Sequence, residues 1–182
     1  MASFTSTLNF LLAIFTIVMQ IVTALIIVWF FTSKNRASDR ILKVISNNAY
    51  IISFLITFGG MVLSLVYSDI IGYVPCTLCW YQRILLYPEV LLLGLALWKE
   101  DRTITDYIIA LSGIGIILAA YQKYLELGGS SIIPCSATAV ACSKVYVLEF
   151  KYITIPVMAL TSFIFIFVLM LIHNYITRRN SR

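Results

Sequence analysis

The chain is predicted to be an all-α integral membrane protein with five spans, on three observations. Apolar residues make up 61% of the 182 positions and charged residues only 12%, a composition far from that of soluble domains. The apolar residues gather into five long runs divided by polar stretches. The basic residues sit in those stretches and form no single basic face, so the +5 net charge reports membrane topology and argues against a nucleic-acid partner. The length is that of one domain.

The first run, Leu8 to Phe31, carries no charge and is long enough to cross a bilayer. A signal peptide would want basic residues ahead of a shorter core, then a small-residue cleavage site. Residues 1–7 hold no Lys or Arg, and the run ends Trp29-Phe30-Phe31-Thr32, so it reads as a retained helix. Ser33 to Asn48 is a polar connection with Lys34, Arg36, Arg40 and Lys43 against Asp39. The second run, about Ala49 to Tyr67, sets Gly60 and Ser64 four residues apart, a spacing that suits close helix packing in lipid. Ser68 to Pro75 leads to the third run, about Cys76 to Trp98, which contains Pro88 and Glu89. Lys99 to Asp106 is a tight charged turn. The fourth run, about Tyr107 to Leu125, repeats the small-residue spacing with Gly115 and Ala119. The longest connection, Glu126 to Tyr152, precedes the fifth run, Ile153 to Ile172, and a basic tail.

Five spans put residues 32–48, 99–106 and the tail on one side of the membrane, with nine Lys and Arg residues; the other side has only Lys144 and Lys151. The basic side is therefore expected to be cytoplasmic, with the N-terminus outside and the C-terminus inside. Both cysteine pairs, Cys76/Cys79 and Cys135/Cys142, then face outward, where disulfides persist. Four cysteines allow three connectivities, and the sequence does not choose among them. Inert packing is the bland reading of membrane cysteines; their strict pairing argues against it.

Cys76 and Cys79 open the third helix, and Arg83 follows Cys79 by four residues on the same helical face. A helix N-terminus and a nearby guanidinium both favour thiolate, the reactive form. Gln82 borders this stripe. A zinc site would need four ligands, which the two pairs match in number, but Arg83 would repel the cation. The only histidine, His173, is at the far end of the last span. Arg83 has a bland reading as a snorkelling anchor; Gln82 beside it makes two adjacent polar groups that need partners, such as a carbonyl-bearing lipophilic acceptor. Glu89, seven residues beyond Gln82, is the costliest residue by position. It reads equally as a proton relay, a partner for Arg83 or a bound acceptor, or a protonated carboxyl bonded to a neighbouring helix. The outer connection pairs a flexible Gly128-Gly129-Ser130-Ser131 with Pro134 before Cys135. Its Cys135/Cys142 loop suits disulfide exchange with another protein. Val145 to Tyr152 fits an interfacial segment or ordinary loop packing.

The stretch Cys76-Thr77-Leu78-Cys79-Trp80-Tyr81-Gln82-Arg83-Ile84-Leu85-Leu86-Tyr87-Pro88 resembles the signature of the DsbB family of membrane thiol:quinone oxidoreductases, most nearly its BdbC-like short-loop branch. Tyr121 with Tyr124, Pro134-Cys135 and Ile153-Thr154-Ile155-Pro156 extend the likeness, which spans roughly Asn47 to Ile172. The resemblance implies a four-helix transmembrane bundle over 47–182, with residues 1–46 as one extra N-terminal transmembrane helix and a basic cytoplasmic loop. It implies a protein dithiol:quinone oxidoreductase of a bacterial or archaeal plasma membrane, with a DsbA-like (BdbD-like) extracytoplasmic thiol oxidase as partner. The cofactor implied is a quinone, ubiquinone or menaquinone. By position, Cys135 would be attacked by the partner's thiolate and Cys142 would complete the outer pair. Cys76 would exchange with that pair, and Cys79 would face the quinone beside Arg83 and Gln82. The chain departs from the family in its first helix, in Gln122 where histidine is frequent, and in Glu89 where an uncharged residue is usual. Two other readings are a vitamin K epoxide reductase-like thiol protein and a non-enzymatic membrane metal-binding or transport protein.

Overall fold

A computed structural model describes residues 2–32, 36–99, 103–130 and 142–180; Cys135 lies outside them. Among the described residues there are five α-helices: α1 (Ala2–Thr32), α2 (Arg36–Leu65), α3 (Thr77–Lys99), α4 (Thr105–Glu126) and α5 (Ile155–Asn180). Among the described residues the only β pairing is a single antiparallel bridge, Glu149 with Ile153. Ser3–Thr32, Ile41–Ile70, Thr105–Glu126 and Ile155–Arg179 are long and apolar enough to cross a membrane. The protein is thus an all-α, multi-pass membrane protein. At 23 residues, α3 extends roughly 34 Å, the length of a span. Gln82, Arg83 and Glu89 interrupt its apolar run.

Two boundaries differ from the expected ones. The basic stretch ahead of Ala49 is helical from Arg36, because Leu42, Ile45, Ser46 and Ala49 recur at helical spacing and turn one face onto the bundle. At its other end, α2 runs on through a π-helical turn, Val66–Ile70, inside what reads as a span end followed by a connection. Such turns are frequent beside functional sites.

Helices α2 to α5 form a closed ring in which each packs on the next and α5 returns to α2. Their shared core joins Ala49 and Tyr50 of α2, Leu93 of α3, Ile108 of α4, and Ile166 and Leu169 of α5. Small residues set the close approaches. A Cβ on Gly115 would lie 2.6 Å from the Phe163 ring, so only glycine lets α5 seat against α4 there. A Cβ on Gly60 would meet Leu86 at 3.4 Å. The end of the bundle away from Cys76 is clasped by buried polar pairs. His173 Nδ1 donates to Ser46 O (2.9 Å), and the Tyr50 and Thr105 hydroxyls meet at 2.7 Å.

Helix α1 stands outside the ring. It leans on α5 and touches α2 only sparingly. Gln20 Nε2 donates to Thr161 Oγ1 (3.0 Å), and the Tyr67 hydroxyl donates to Asn9 Oδ1 (2.7 Å). The segment after Cys142 packs in part on the cysteine end of the bundle, while Val145, Leu148, Phe150 and Tyr152 stay exposed. Val147 is buried, and Tyr146 stacks on Tyr73 with centroids 4.6 Å apart.

Candidate functional site

The site grows from the start of α3. Pro75 cannot donate a helical hydrogen bond, and the helix begins beyond it, with Trp80 N–H bonded to Cys76 O at 3.1 Å. This turn brings Cys76 Sγ and Cys79 Sγ to 3.0 Å, within easy reach of a disulfide. The positive end of the helix dipole lies at the pair. The Cys79 sulfur, as hydrogen-bond partner, and then burial hold the Cys76 thiol above its ordinary value.

Gln122 of α4 ties the rest of the site to the sulfurs. Its Nε2 lies 3.4 Å from both Cys76 Sγ and Cys79 Sγ, while its Oε1 accepts from Gln82 Nε2 at 2.7 Å. Arg83 does not snorkel. Its Nε donates to Ser64 Oγ and its Nη2 to Ser64 O, both at 2.8 Å, and the guanidinium lies 5.2 Å from the Trp80 ring centroid. Ser64, expected only as a small packing residue, thus holds the cation just ahead of the π-helical turn.

Two cavities meet at this point. The smaller, about 30 Å³, is lined by Cys76, Cys79, Cys142, Gln122, Glu126 and Lys144, among others. Cys142 is buried in one apolar cluster with Cys76, Leu78 and Leu125. Both the inner pair and one member of the outer pair therefore line one small space. Close by, Thr154 Oγ1 donates to Glu126 Oε2 (2.7 Å), and Lys123 Nζ is 3.1 Å from the same oxygen. The larger cavity, about 650 Å³, opens between α1, α2, α3 and α5. Its polar end is made by Ser64, Cys79, Gln82, Arg83 and Gln122, and its other walls are mostly apolar. Cys79 and Gln122 line both cavities.

The structure brings together Cys76, Cys79, Gln82, Arg83 and Cys142. It does not bring Glu89 to them. That residue is fully buried between α3 and α4, where Ser112 Oγ donates to its Oε1 at 2.9 Å. It lines neither cavity, and its Oε2 has no hydrogen-bond partner. Sequence reasoning flagged Gln122 only as a departure from a family pattern and did not single out Glu126. An uncharged polar residue inside an apolar run was the available signal for Gln122.

Comparison with known proteins identifies the family. The family model described as disulfide bond formation protein DsbB matches residues 46–173. The chain is 41% identical to disulfide bond formation protein C of Bacillus subtilis over 121 residues, covering 65% of this chain and 86% of that protein. It is 39% identical to a probable disulfide formation protein of Oceanobacillus iheyensis over 144 residues, covering 75% and 94%. The SPbeta prophage-derived disulfide bond formation protein B of Bacillus subtilis is 38% identical over 118 residues, covering 65% and 80%. No solved structure matches. A family match over residues 46–173, which include both Cys76 and Cys79, shows that this protein belongs to the DsbB family of disulfide bond formation proteins.

Proposed function

We propose that this chain is a protein dithiol:quinone oxidoreductase that reoxidises an extracytoplasmic DsbA-like thiol oxidase. The observation that carries the reading is the position of Cys79 at the junction of the two cavities, one shared with Cys76 and Cys142 and one open to the apolar interior. A thiol there touches both a disulfide relay and a lipophilic site.

In this reading the partner's thiolate attacks Cys135 of the outer disulfide, and the mixed disulfide is resolved by the partner's second thiol. The partner leaves oxidised, and Cys135 and Cys142 are left as two thiols. An outer thiolate then attacks Cys76 of the inner disulfide and Cys79 departs as thiolate. Closure of the outer pair displaces Cys76, so both electrons reside on Cys76 and Cys79. Of the two sulfurs, Cys79 is the one that lines the larger cavity.

That cavity suits a quinone. Its volume falls within the range of ligand pockets, roughly 300–1,000 Å³, and an apolar body with one polar end matches a lipophilic molecule bearing ring carbonyls. When bound, the quinone supplies the two-electron acceptor. Arg83, Gln82 and Gln122 would hold its head group, with Arg83 fixed in place by Ser64 and poised to stabilise negative charge. Glu89 takes no part in this reading. The charge bias of the connections supports an outward-facing cysteine end with a cytoplasmic C-terminus. The family match, which begins at residue 46, supports a division into the segment 1–46 and a redox unit over 47–182.

The test uses purified protein, a reduced DsbA-like dithiol partner and decylubiquinone. Quinone reduction matched to partner oxidation is expected; partner oxidation with the quinone left unreduced overturns the reading. A thiol label that cannot cross membranes should reach Cys135 in reduced intact cells. Labelling only after lysis would invert the orientation.

A further inference from the structure

The larger cavity has a wall that lies outside the family match. Leu12, Phe15, Val18, Met19 and Val22 of α1 line it, spaced as one helical face, and all precede residue 46, where the match begins. Across the gap, α2 presents Ile52, Leu55, Ile56 and Gly59. The gap is built into the fold. Polar clasps tie α1 to the π-helical turn through Asn9 and Tyr67, and to α5 through Gln20 and Thr161, while its contact with α2 stays sparse. A Cβ added to Gly59 would meet nothing within 4 Å, so this glycine faces open space and not a packed neighbour.

The cavity is also polarised along its length. Asn9 marks the cysteine end of α1, because its partner Tyr67 lies just before the loop to Cys76. Val22 is thirteen residues further on, roughly 20 Å along the helix, and the cavity lining around it is apolar. The head-group residues belong to α2, α3 and α4; the long apolar side away from them belongs largely to α1. An amphiphile with one polar ring and a hydrocarbon tail matches that polarity, the tail lying against α1.

We propose that α1 is the tail-binding wall of the acceptor site, so that this helix selects and retains the hydrocarbon tail of the quinone while α3 and α4 hold its ring. This rests on the quinone reading above. Val18→Trp and Val22→Trp push an indole into the tail space; Ile21→Trp, at an exposed position on the same helix that does not line the cavity, is the control. The two cavity variants should raise KM for decylubiquinone about tenfold and leave KM for a tail-less benzoquinone of the same head group unchanged. Ile21→Trp should change neither. An unchanged KM for decylubiquinone, or equal shifts for both quinones, overturns the proposal. Should a tryptophan variant fail to fold, a photoreactive benzoylphenylalanine at position 18 or 21 decides the matter. Irradiation with decylubiquinone should give a quinone adduct at 18 and none at 21, and adducts at both or at neither overturn it. A wild-type protein that reduces no quinone at all removes the underlying reading, which separates that failure from the failure of the wall.

Discussion

Helix α3 carries polar side chains at two levels, Gln82 with Arg83 near its start and Glu89 seven residues further along, and the two levels have opposite surroundings. Gln82 and Arg83 are half-buried and border a cavity, and each is hydrogen-bonded to a second helix, Gln82 to Gln122 of α4 and Arg83 to Ser64 of α2. Glu89 is sealed against α4 with one bond from Ser112 and one bare oxygen. Polar groups inside a membrane protein are expensive wherever they stand. Where they border a space next to a thiol, they line the proposed acceptor site; where they are closed in, the direct effect is on helix packing.

The largest expected effect tests the upper level through its sulfur. Cys79→Ser should abolish quinone reduction with the partner present; normal turnover would end the relay scheme. Arg83→Ala should come next, lowering kcat/KM for the quinone by about 100-fold. Arg83→Lys should recover little of it, since an ammonium cannot reproduce the paired contact with Ser64. These are read by quinone absorbance during turnover. At the lower level, Glu89→Ala should reduce stability by about 1–3 kcal/mol, from a lost partner for Ser112 and a small void. Thermal unfolding in detergent measures that, with quinone KM unmoved. The smallest effect is expected of Glu89→Gln, which keeps an oxygen for Ser112. Turnover should stay within about twofold and stability within about 0.5 kcal/mol. A large loss of turnover with normal folding would make Glu89 a proton-handling group and erase the contrast between the two levels.

Much of this was legible in advance because it is local. The stripe of Cys79 and Arg83, bordered by Gln82, follows from helical periodicity alone, and all three line the larger cavity. The small-residue pairs Gly60/Ser64 and Gly115/Ala119 marked real helix contacts. Composition was a weaker guide to boundaries, since the basic start of α2 looked like a connection until its buried face was seen against the bundle.

The sequence by itself determined that the chain is helical and membrane-embedded, and that a cysteine pair stands at the start of a helix carrying a cation one turn further on. Those properties depend on hydropathy and on spacings of three or four residues. Only the tertiary structure decided that Gln122 reaches both sulfurs, that Ser64 fixes Arg83, and that Cys142 is buried beside Cys76. It alone turned α1 from an extra span into the wall of a cavity that ends at Cys79. These contacts join residues tens of positions apart, and they exist because helices pack at particular heights and faces, which no repeat within a single helix encodes.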